Sequence, residues 1–342
     1  MNSKRGPSLN IWDAKIPYNS SDSKLEKMKI HYKENKLLYF IKFLLAIRDN
    51  EKKKFSFKKI SEIDTYTYKT QIKAGRCKET FEDVPCLTPY LVSESKKAVI
   101  VVPGGGYAAG YFPGKLDFPD NDAEMGLAAK RLNEAGINAF VLSYRYSPYR
   151  YPVPLLDMQR AVKYLKFHAE EYGIDKNKIG LLGFSAGGYQ VGGFINLFMN
   201  NPEKTFELLP DNYISDEIDK TDDTVNNAAM FYPLLSFENH KGVLSVFLPK
   251  KYNDNEEKVY SFINDTDLTK NINSIFVPQF LSHGTKDFLV NFKSTEAYVN
   301  ALKEQGGNCK YVPVPGASHV FTEEKKYRYV FDEYLSWANE QF

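Results

Sequence analysis

Lys178-Ile179-Gly180-Leu181-Leu182-Gly183-Phe184-Ser185-Ala186-Gly187-Gly188 is the stretch on which the reading of this chain turns. Its first half is short and apolar, as a buried strand is, and the run from Ala186 to Met199 is small and apolar, as suits a helix packed on a sheet. Between them Gly183 to Gly187 spells G-x-S-x-G. A strand that passes into a helix through so tight a turn needs glycine on both sides of the serine. The turn thrusts the serine side chain out at the carboxyl edge of the sheet. Read without its neighbours, the motif is equally a glycine-rich helix entrance with a solvated serine.

The neighbours extend the alternation. Ala98 to Pro103 (A-V-I-V-V-P) is a β-branched run that suits a buried strand. Asp122 to Ala135 reads as a helix, Asn138 to Tyr144 as a strand, Pro154 to Tyr172 as a helix and Lys178 to Phe184 as a strand. Beyond the serine, strands are expected at Asn227 to Pro233, Ile275 to Ser282 and Lys310 to Val314. Helices are expected at Phe292 to Gln305 and from Glu323 to Asn339. Such alternation predicts an α/β fold built from βαβ units, a mostly parallel central sheet with helices on both faces. Right-handed crossovers then place every strand's carboxyl end on one edge, where ligands bind. Two polar, irregular segments, about 200–226 and 237–273, interrupt the pattern and read as lid-like insertions.

Composition narrows the function classes. The chain has 342 residues, 43% hydrophobic and 26% charged, which is ordinary for a globular protein. A net charge of +2 leaves no electrostatic footprint for nucleic acid. Cys77, Cys86 and Cys309 cannot all pair; a Cys77–Cys86 bridge is the one pairing with a short loop. The polar segment Met1 to Asn19 has no apolar signal core. The longest apolar run, Leu37 to Ile47, contains Lys42 and falls short of the ~20 residues that span a bilayer. These features imply a cytoplasmic protein with no integral membrane segment. Residues 1–83 read as an N-terminal extension whose helix, Leu25 to Arg48, docks its apolar side on a main domain at 84–342. A homodimer contact or a peripheral membrane face is the alternative use of that stripe.

Serine needs a base within hydrogen-bond reach, and the base needs an orienting acid. Of the 5 histidines, His319 lies in Pro315-Gly316-Ala317-Ser318-His319, directly after the last strand, on the edge where Ser185 emerges. His283 ends a strand and reads as packing beneath the site. His31 and His168 fall in helix patterns, and His240 falls in an insertion, where substrate is its one functional use. The acid should end a strand between serine and histidine. Asp287, in His283-Gly284-Thr285-Lys286-Asp287, does so, whereas Asp265 and Asp267 lie in the insertion. The structural alternative for Asp287 is the N-cap of the following helix. Pro103-Gly104-Gly105-Gly106-Tyr107 follows the strand at Ala98 and frees backbone N–H groups for a developing oxyanion. Gly105, Gly106 and the amide of Ala186 are the expected donors, and Tyr107 the expected substrate contact. The loop lacks the spacing of a phosphate-binding P-loop.

These motifs together resemble the esterases and lipases of the α/β-hydrolase fold. The resemblance rests on G-F-S-A-G-G (183–188), P-G-G-G-Y (103–107) and L-S-Y-R-Y (142–146). It is carried further by Pro154, Asp157, Arg160 and Ala161, by H-G-T-K-D (283–287) and by the His319 loop. It covers about 84–340 and is nearest the acetyl xylan esterase-like branch, related to the hormone-sensitive-lipase group. That branch implies a Ser185-Asp287-His319 triad, an oxyanion hole at Gly105, Gly106 and Ala186, and no metal or cofactor. Pro103 stands where the lipase group has histidine, which favours the acetyl-esterase-like branch. The helix near Leu25 to Lys59 is outside the pattern. The expected activity is hydrolysis of small-molecule carboxylic esters with small acyl groups, acetylated carbohydrates among them. A serine peptidase or amidase acting on short peptides or arylformamides is the alternative, and a non-catalytic relative would have a broken triad.

Overall fold

The computed structural model of the chain describes residues 4–12, 16–19, 83–107, 124–147, 149–238, 240–249, 252 and 255–342. The expected helix Leu25 to Arg48 lies outside the described residues. Cys86 is a free, buried thiol, and burial pushes its pKa up to about 11; Cys77, the other half of the expected pairing, lies outside the described residues.

The A-V-I-V-V run forms β4 (Ala98–Val102) at the heart of the sheet, wholly buried. Ala98, Ile100 and Val102 join one core cluster and Val99 and Val101 the other, because successive strand side chains point to opposite faces. Both faces are covered, so the strand is apolar throughout rather than alternating. It pairs in parallel with β5 (Asn138–Ser143) on one side and β6 (Ile179–Phe184) on the other. From β6 the parallel sheet continues through β7 (Asn227–Phe231) and β8 (Gln279–Gly284) to β9 (Cys309–Val314). The chain therefore steps outward from β4 to β5, then crosses back to β6. The strand order reverses at β4, and the carboxyl ends of β4 and β6 flank the crevice this creates.

Helices α1 (Glu124–Glu134) and α8 (Arg328–Gln341) cover one face through Ala128, Leu132, Phe331, Tyr334 and Trp337. Helices α2 (Val153–Phe167), α3 (Ala186–Gly193) and α7 (Phe292–Glu304) cover the other through Leu155, Val162, Val191, Tyr298 and Leu302. Truncating one such wholly buried leucine costs about 2–5 kcal/mol. None of the helices among the described residues is long and apolar enough to cross a membrane.

Several elements differ from the sequence reading. β3 (Cys86–Leu91), which no pattern announced, pairs antiparallel with β5, and it carries Pro89 opposite Phe140. β1 (Lys4–Arg5) and β2 (Leu9–Asn10) add to its outer side. β8 begins at Gln279 rather than Ile275, because the Asn273 side chain accepts from the Ile275 amide and turns the chain, leaving Ile275 half exposed. The helix after Ser185 is α-helical only to Gly193 and closes with a wider turn, Phe194–Phe198, in which Met199 N–H donates to Phe194 O. The last helix starts at Arg328, after two short 3₁₀ turns.

The two insertions sit at different ends of the sheet. In the first, α4 (Pro202–Glu207) leads to Asp216 and Asp219, which hold Arg160 of α2, and the chain enters β7 at its amino end. In the second, α5 (Lys241–Phe247) and α6 (Glu256–Thr266) lie at the carboxyl edge, where the Phe247 ring packs 4.5 Å from Tyr107.

Candidate active site

Ser185 sits between β6 and α3 at φ 53°, ψ −116°, a left-handed backbone that L-residues adopt only under constraint. The constraint comes from both sides. A Cβ on Gly183 would lie 2.3 Å from the carbonyl oxygen of Gly187, and one on Gly187 would lie 2.2 Å from that of Val102. Glycine is thus demanded by the closeness of α3 to the ends of β6 and β4. The Ser185 amide donates to Phe231 O at 3.0 Å, anchoring the turn to β7.

The base and the acid arrive on loops that are bonded to each other. After β8, Thr285 N–H donates to Val314 O (3.0 Å) and Lys286 N–H to Ala317 O (2.9 Å), while Gly316 N–H donates to Thr285 Oγ1 (2.9 Å). These links bring His319 beside Asp287. His319 Nδ1 lies 2.6 Å from Asp287 Oδ2, and His319 Nε2 lies 2.9 Å from Ser185 Oγ. A carboxylate only accepts, so the proton is assigned to Nδ1, and Nε2 is left to accept from the Ser185 hydroxyl. The Tyr232 ring meets the imidazole edge-on, 4.7 Å between centroids, and fixes its tilt.

Asp287 is not the helix cap. Asn291 fills that place, its side chain accepting from Lys293 N–H. Asp287 Oδ1 instead accepts from Leu289 N–H (2.8 Å) and Val290 N–H (2.9 Å). Burial alone would raise this carboxyl; hydrogen bonds from His283, His319 and the Val290 amide outweigh it and hold the group well below the usual carboxylate range. His283, wholly buried on β8, places Nε2 3.1 Å from Asp287 Oδ2.

The glycine loop packs onto the serine turn. A Cβ on Gly104 would come within 3.1 Å of Ser185 Cβ, and Gly105 and Gly106 take φ 114° and 60°. Ala186 opens α3, where the first amides have no partner within the helix. Tyr107 is completely buried: its hydroxyl donates to Ala186 O (3.3 Å), and its ring lies among Phe247, Tyr144 and Tyr189. Directly after Asp287, Phe288 is 80% exposed and Leu289 55% exposed.

Sequence reasoning did not single out Tyr232, for which the sequence carries no signal. His283 was read from the sequence as packing beneath the site, four residues before Asp287, and it lies there. His240 is buried against this cluster, not open to substrate, with Nδ1 donating to Ser236 O (3.1 Å) and Nε2 accepting from Asn291 N–H (3.0 Å).

A family model described as BD-FAE matches residues 87–302, the span that holds Ser185, Asp287 and the glycine loop. The chain belongs to the BD-FAE family. This BD-FAE chain is 28% identical over 248 residues to endo-1,4-beta-xylanase B of Butyrivibrio fibrisolvens, which spans 70% of this chain and 34% of that protein. It is 24% identical over 231 residues to the acetylxylan esterase of Xylanibacter ruminicola, 66% of this chain and 41% of that protein. The chain thus matches well under two thirds of the length of these curated relatives. Among solved structures, the acetyl ester-xyloside bifunctional hydrolase from Caldicellulosiruptor lactoaceticus superimposes with a TM-score of 0.64 at 25% identity, covering 80% of this chain and 94% of that one. Esterase Est2 of the planctomycete Thermogutta terrifontis gives 0.57 at 22% identity, covering 77% and 88%. With these neighbours, and with an α/β hydrolase from a Medee basin deep-sea metagenome library at a TM-score of 0.54, the BD-FAE chain has the α/β-hydrolase fold.

Proposed function

We propose that this BD-FAE protein hydrolyses carboxylic esters through Ser185, His319 and Asp287. The observation that carries the reading is one imidazole bridging the Ser185 hydroxyl at 2.9 Å and a buried carboxylate at 2.6 Å. Ser185 Oγ attacks the ester carbonyl as its proton passes to His319 Nε2. Asp287 holds the ring and stabilises its cation. The oxyanion accepts from the amides of Gly105, Gly106 and Ala186. The C–O bond to the alcohol breaks as His319 returns the proton to it. His319 then takes a proton from water as the water oxygen bonds the acyl carbon; the acyl–Oγ bond breaks and His319 returns the proton to Ser185 Oγ.

Small acyl groups, acetyl first, and carbohydrate alcohols are the substrate class in this reading. The support is the printed names of the acetylxylan esterase and of the acetyl ester-xyloside hydrolase. The peptidase or amidase alternative draws no support from those names. The catalytic unit is residues 84–342. Residues 4–10 join its sheet edge, and the segment 237–273 shapes access, a reading supported by the packing of the Phe247 ring on Tyr107.

Ser185→Ala is expected to lower kcat on p-nitrophenyl acetate by about 10⁴ or more, with the folded protein retained. It should also abolish covalent labelling by a fluorophosphonate. Rates for the variant near those of the wild type would remove Ser185 from its role. A panel of acetylated oligosaccharides and matched amides then reads the alcohol preference and ester selectivity.

A further inference from the structure

Asp287 serves two imidazoles. His283 reaches its Oδ2 from β8 at 3.1 Å, while His319 reaches the same oxygen from the loop after β9 at 2.6 Å. Every other position on the carboxylate that the structure fills is a backbone amide on Oδ1. The His283 side chain is fully buried and its second ring nitrogen is also engaged, with Nδ1 2.8 Å from Thr295 Oγ1 on α7. Its Nε2 faces two acceptors, Asp287 Oδ2 and Val290 O, the latter also at 3.1 Å. Neither acceptor can donate, so Nε2 must carry a proton, and in the neutral ring Thr295 donates to Nδ1.

We infer that His283, held in its Nε2–H tautomer by Thr295 and Val290, is a positioning residue that fixes Asp287 Oδ2 and tempers how strongly that oxygen holds His319. The inference rests on the triad reading above. It goes beyond that reading in assigning a task to a histidine that touches neither Ser185 nor the substrate. A donor shared onto Oδ2 spreads the carboxylate charge over two bonds. Without it, Oδ2 turns wholly to His319, favours the imidazolium, and makes the base harder to recover after each proton transfer. Among the described residues two other titratable groups face this cluster: Tyr232, whose ring packs on His319 and whose hydroxyl meets Thr322 Oγ1, and His240, from the segment before α5. Burial, together with its neighbours His283 and His319, keeps its pKa low, and its Nε2 is occupied by the Asn291 amide. It is therefore neutral and does not compete for Oδ2.

The test uses the full-length protein. His283→Leu removes the donor at similar volume, and His283→Gln keeps an N–H. For His283→Leu, kcat on p-nitrophenyl acetate is expected to fall about 10- to 100-fold with KM changed less than about 3-fold. The acid limb of its pH–rate profile is expected to move up by about half a pH unit or more. His283→Gln is expected to recover most of both. A kcat and profile unchanged in His283→Leu would overturn the inference. So would a lower kcat with an acid limb that stays put or moves down, since a merely structural role lowers the active fraction without moving the limb. ¹⁵N spectra of the wild-type imidazoles need no variant: the neutral His283 ring should show a protonated Nε2 and a bare Nδ1. The opposite tautomer overturns the assignment even if the variants do not fold. Ser185→Ala run alongside separates the two questions. If it stays active the triad reading fails; if it is dead while His283→Leu behaves as wild type, only the role of His283 fails.

Discussion

Asp157 and Asp287 are two of the carboxylates whose side chains this molecule buries, and their partners set them apart. Asp157, on α2, is wholly buried and meets a guanidinium: Arg145 Nη2 lies 2.6 Å from Oδ1 and Arg145 Nε 2.9 Å from Oδ2. Trp12 Nε1–H adds a bond to Oδ1 at 3.0 Å. Arg145 goes on to bond Pro17 O and Asn19, so the pair fastens the amino-terminal residues to the sheet. Asp287 is as fully buried, but its side-chain donors are imidazoles and its other partners are amides. Arginine does not release its proton in a protein, so the partner of Asp157 is a permanent cation and the pair can only hold structure. Histidine can gain and lose a proton near neutral pH, so in the proposed mechanism Asp287 holds a group whose charge changes within a turnover. One burial and one residue type thus give a clamp in the first place and, in the proposed mechanism, the acid of the triad in the second.

Substitution at the two aspartates should break in opposite ways. Asp287→Asn is expected to keep the fold and lower kcat by about 10⁴, because an amide can donate to His319 and stabilise the wrong tautomer. Steady-state rates beside a circular dichroism melt check this, and a variant with rates within tenfold of the wild type would refute it. Asp157→Leu should do the reverse. It leaves the Arg145 charge buried without its partner, at a cost of about 3–5 kcal/mol of stability. The urea midpoint should drop by that equivalent, while kcat per folded molecule stays within about threefold. A variant as stable as the wild type would show that the clamp holds nothing.

Acid sharpens the contrast. The folded-state pKa of Asp287 is depressed, so its contribution to stability is present above the unfolded carboxyl value of about 3.9 and is lost as pH falls through the lower folded value. The gap in urea midpoint between wild type and Asp287→Asn should therefore narrow from pH 7 to pH 3. A constant gap would mean that the carboxylate is not stabilised by its donors. The smallest effect is expected at the rim. Phe288 is 80% exposed and anchors nothing, so Phe288→Ala should leave stability unchanged and raise KM for an aryl ester about threefold at constant kcat. A fall in kcat instead would place the ring in the transition state.

The parallel sheet was legible because β4, β5, β6 and β7 are continuous apolar runs bounded by turn residues, and a strand buried on both faces has to be written that way. β3 was not legible. It holds Pro89 and ends the polar amino-terminal third, and its place is set by partners more than forty residues on, Phe140 among them. The start of β8 was misjudged for a local reason, the Asn273 turn that diverts an otherwise apolar run. Tyr107 shows a different limit: its neighbour glycines mark a loop at the site, yet only packing against Phe247 and Tyr189 reveals that the ring points into the core.

By itself the sequence determined the kinds of chemistry available: a serine in a turn only glycine permits, one histidine after the last strand, one aspartate before a helix, and glycines placed to bare their amides. The tertiary structure alone decided which groups meet. Ser185 and His319 stand 134 positions apart, and a hydrogen bond between them depends on the stagger of β6 and β9 and on the bonds that join two loops. The sharing of Asp287 between His319 and His283 is likewise a property of three-dimensional placement, because a carboxylate oxygen takes its partners from whatever the fold brings within 3.1 Å, whatever their order along the chain.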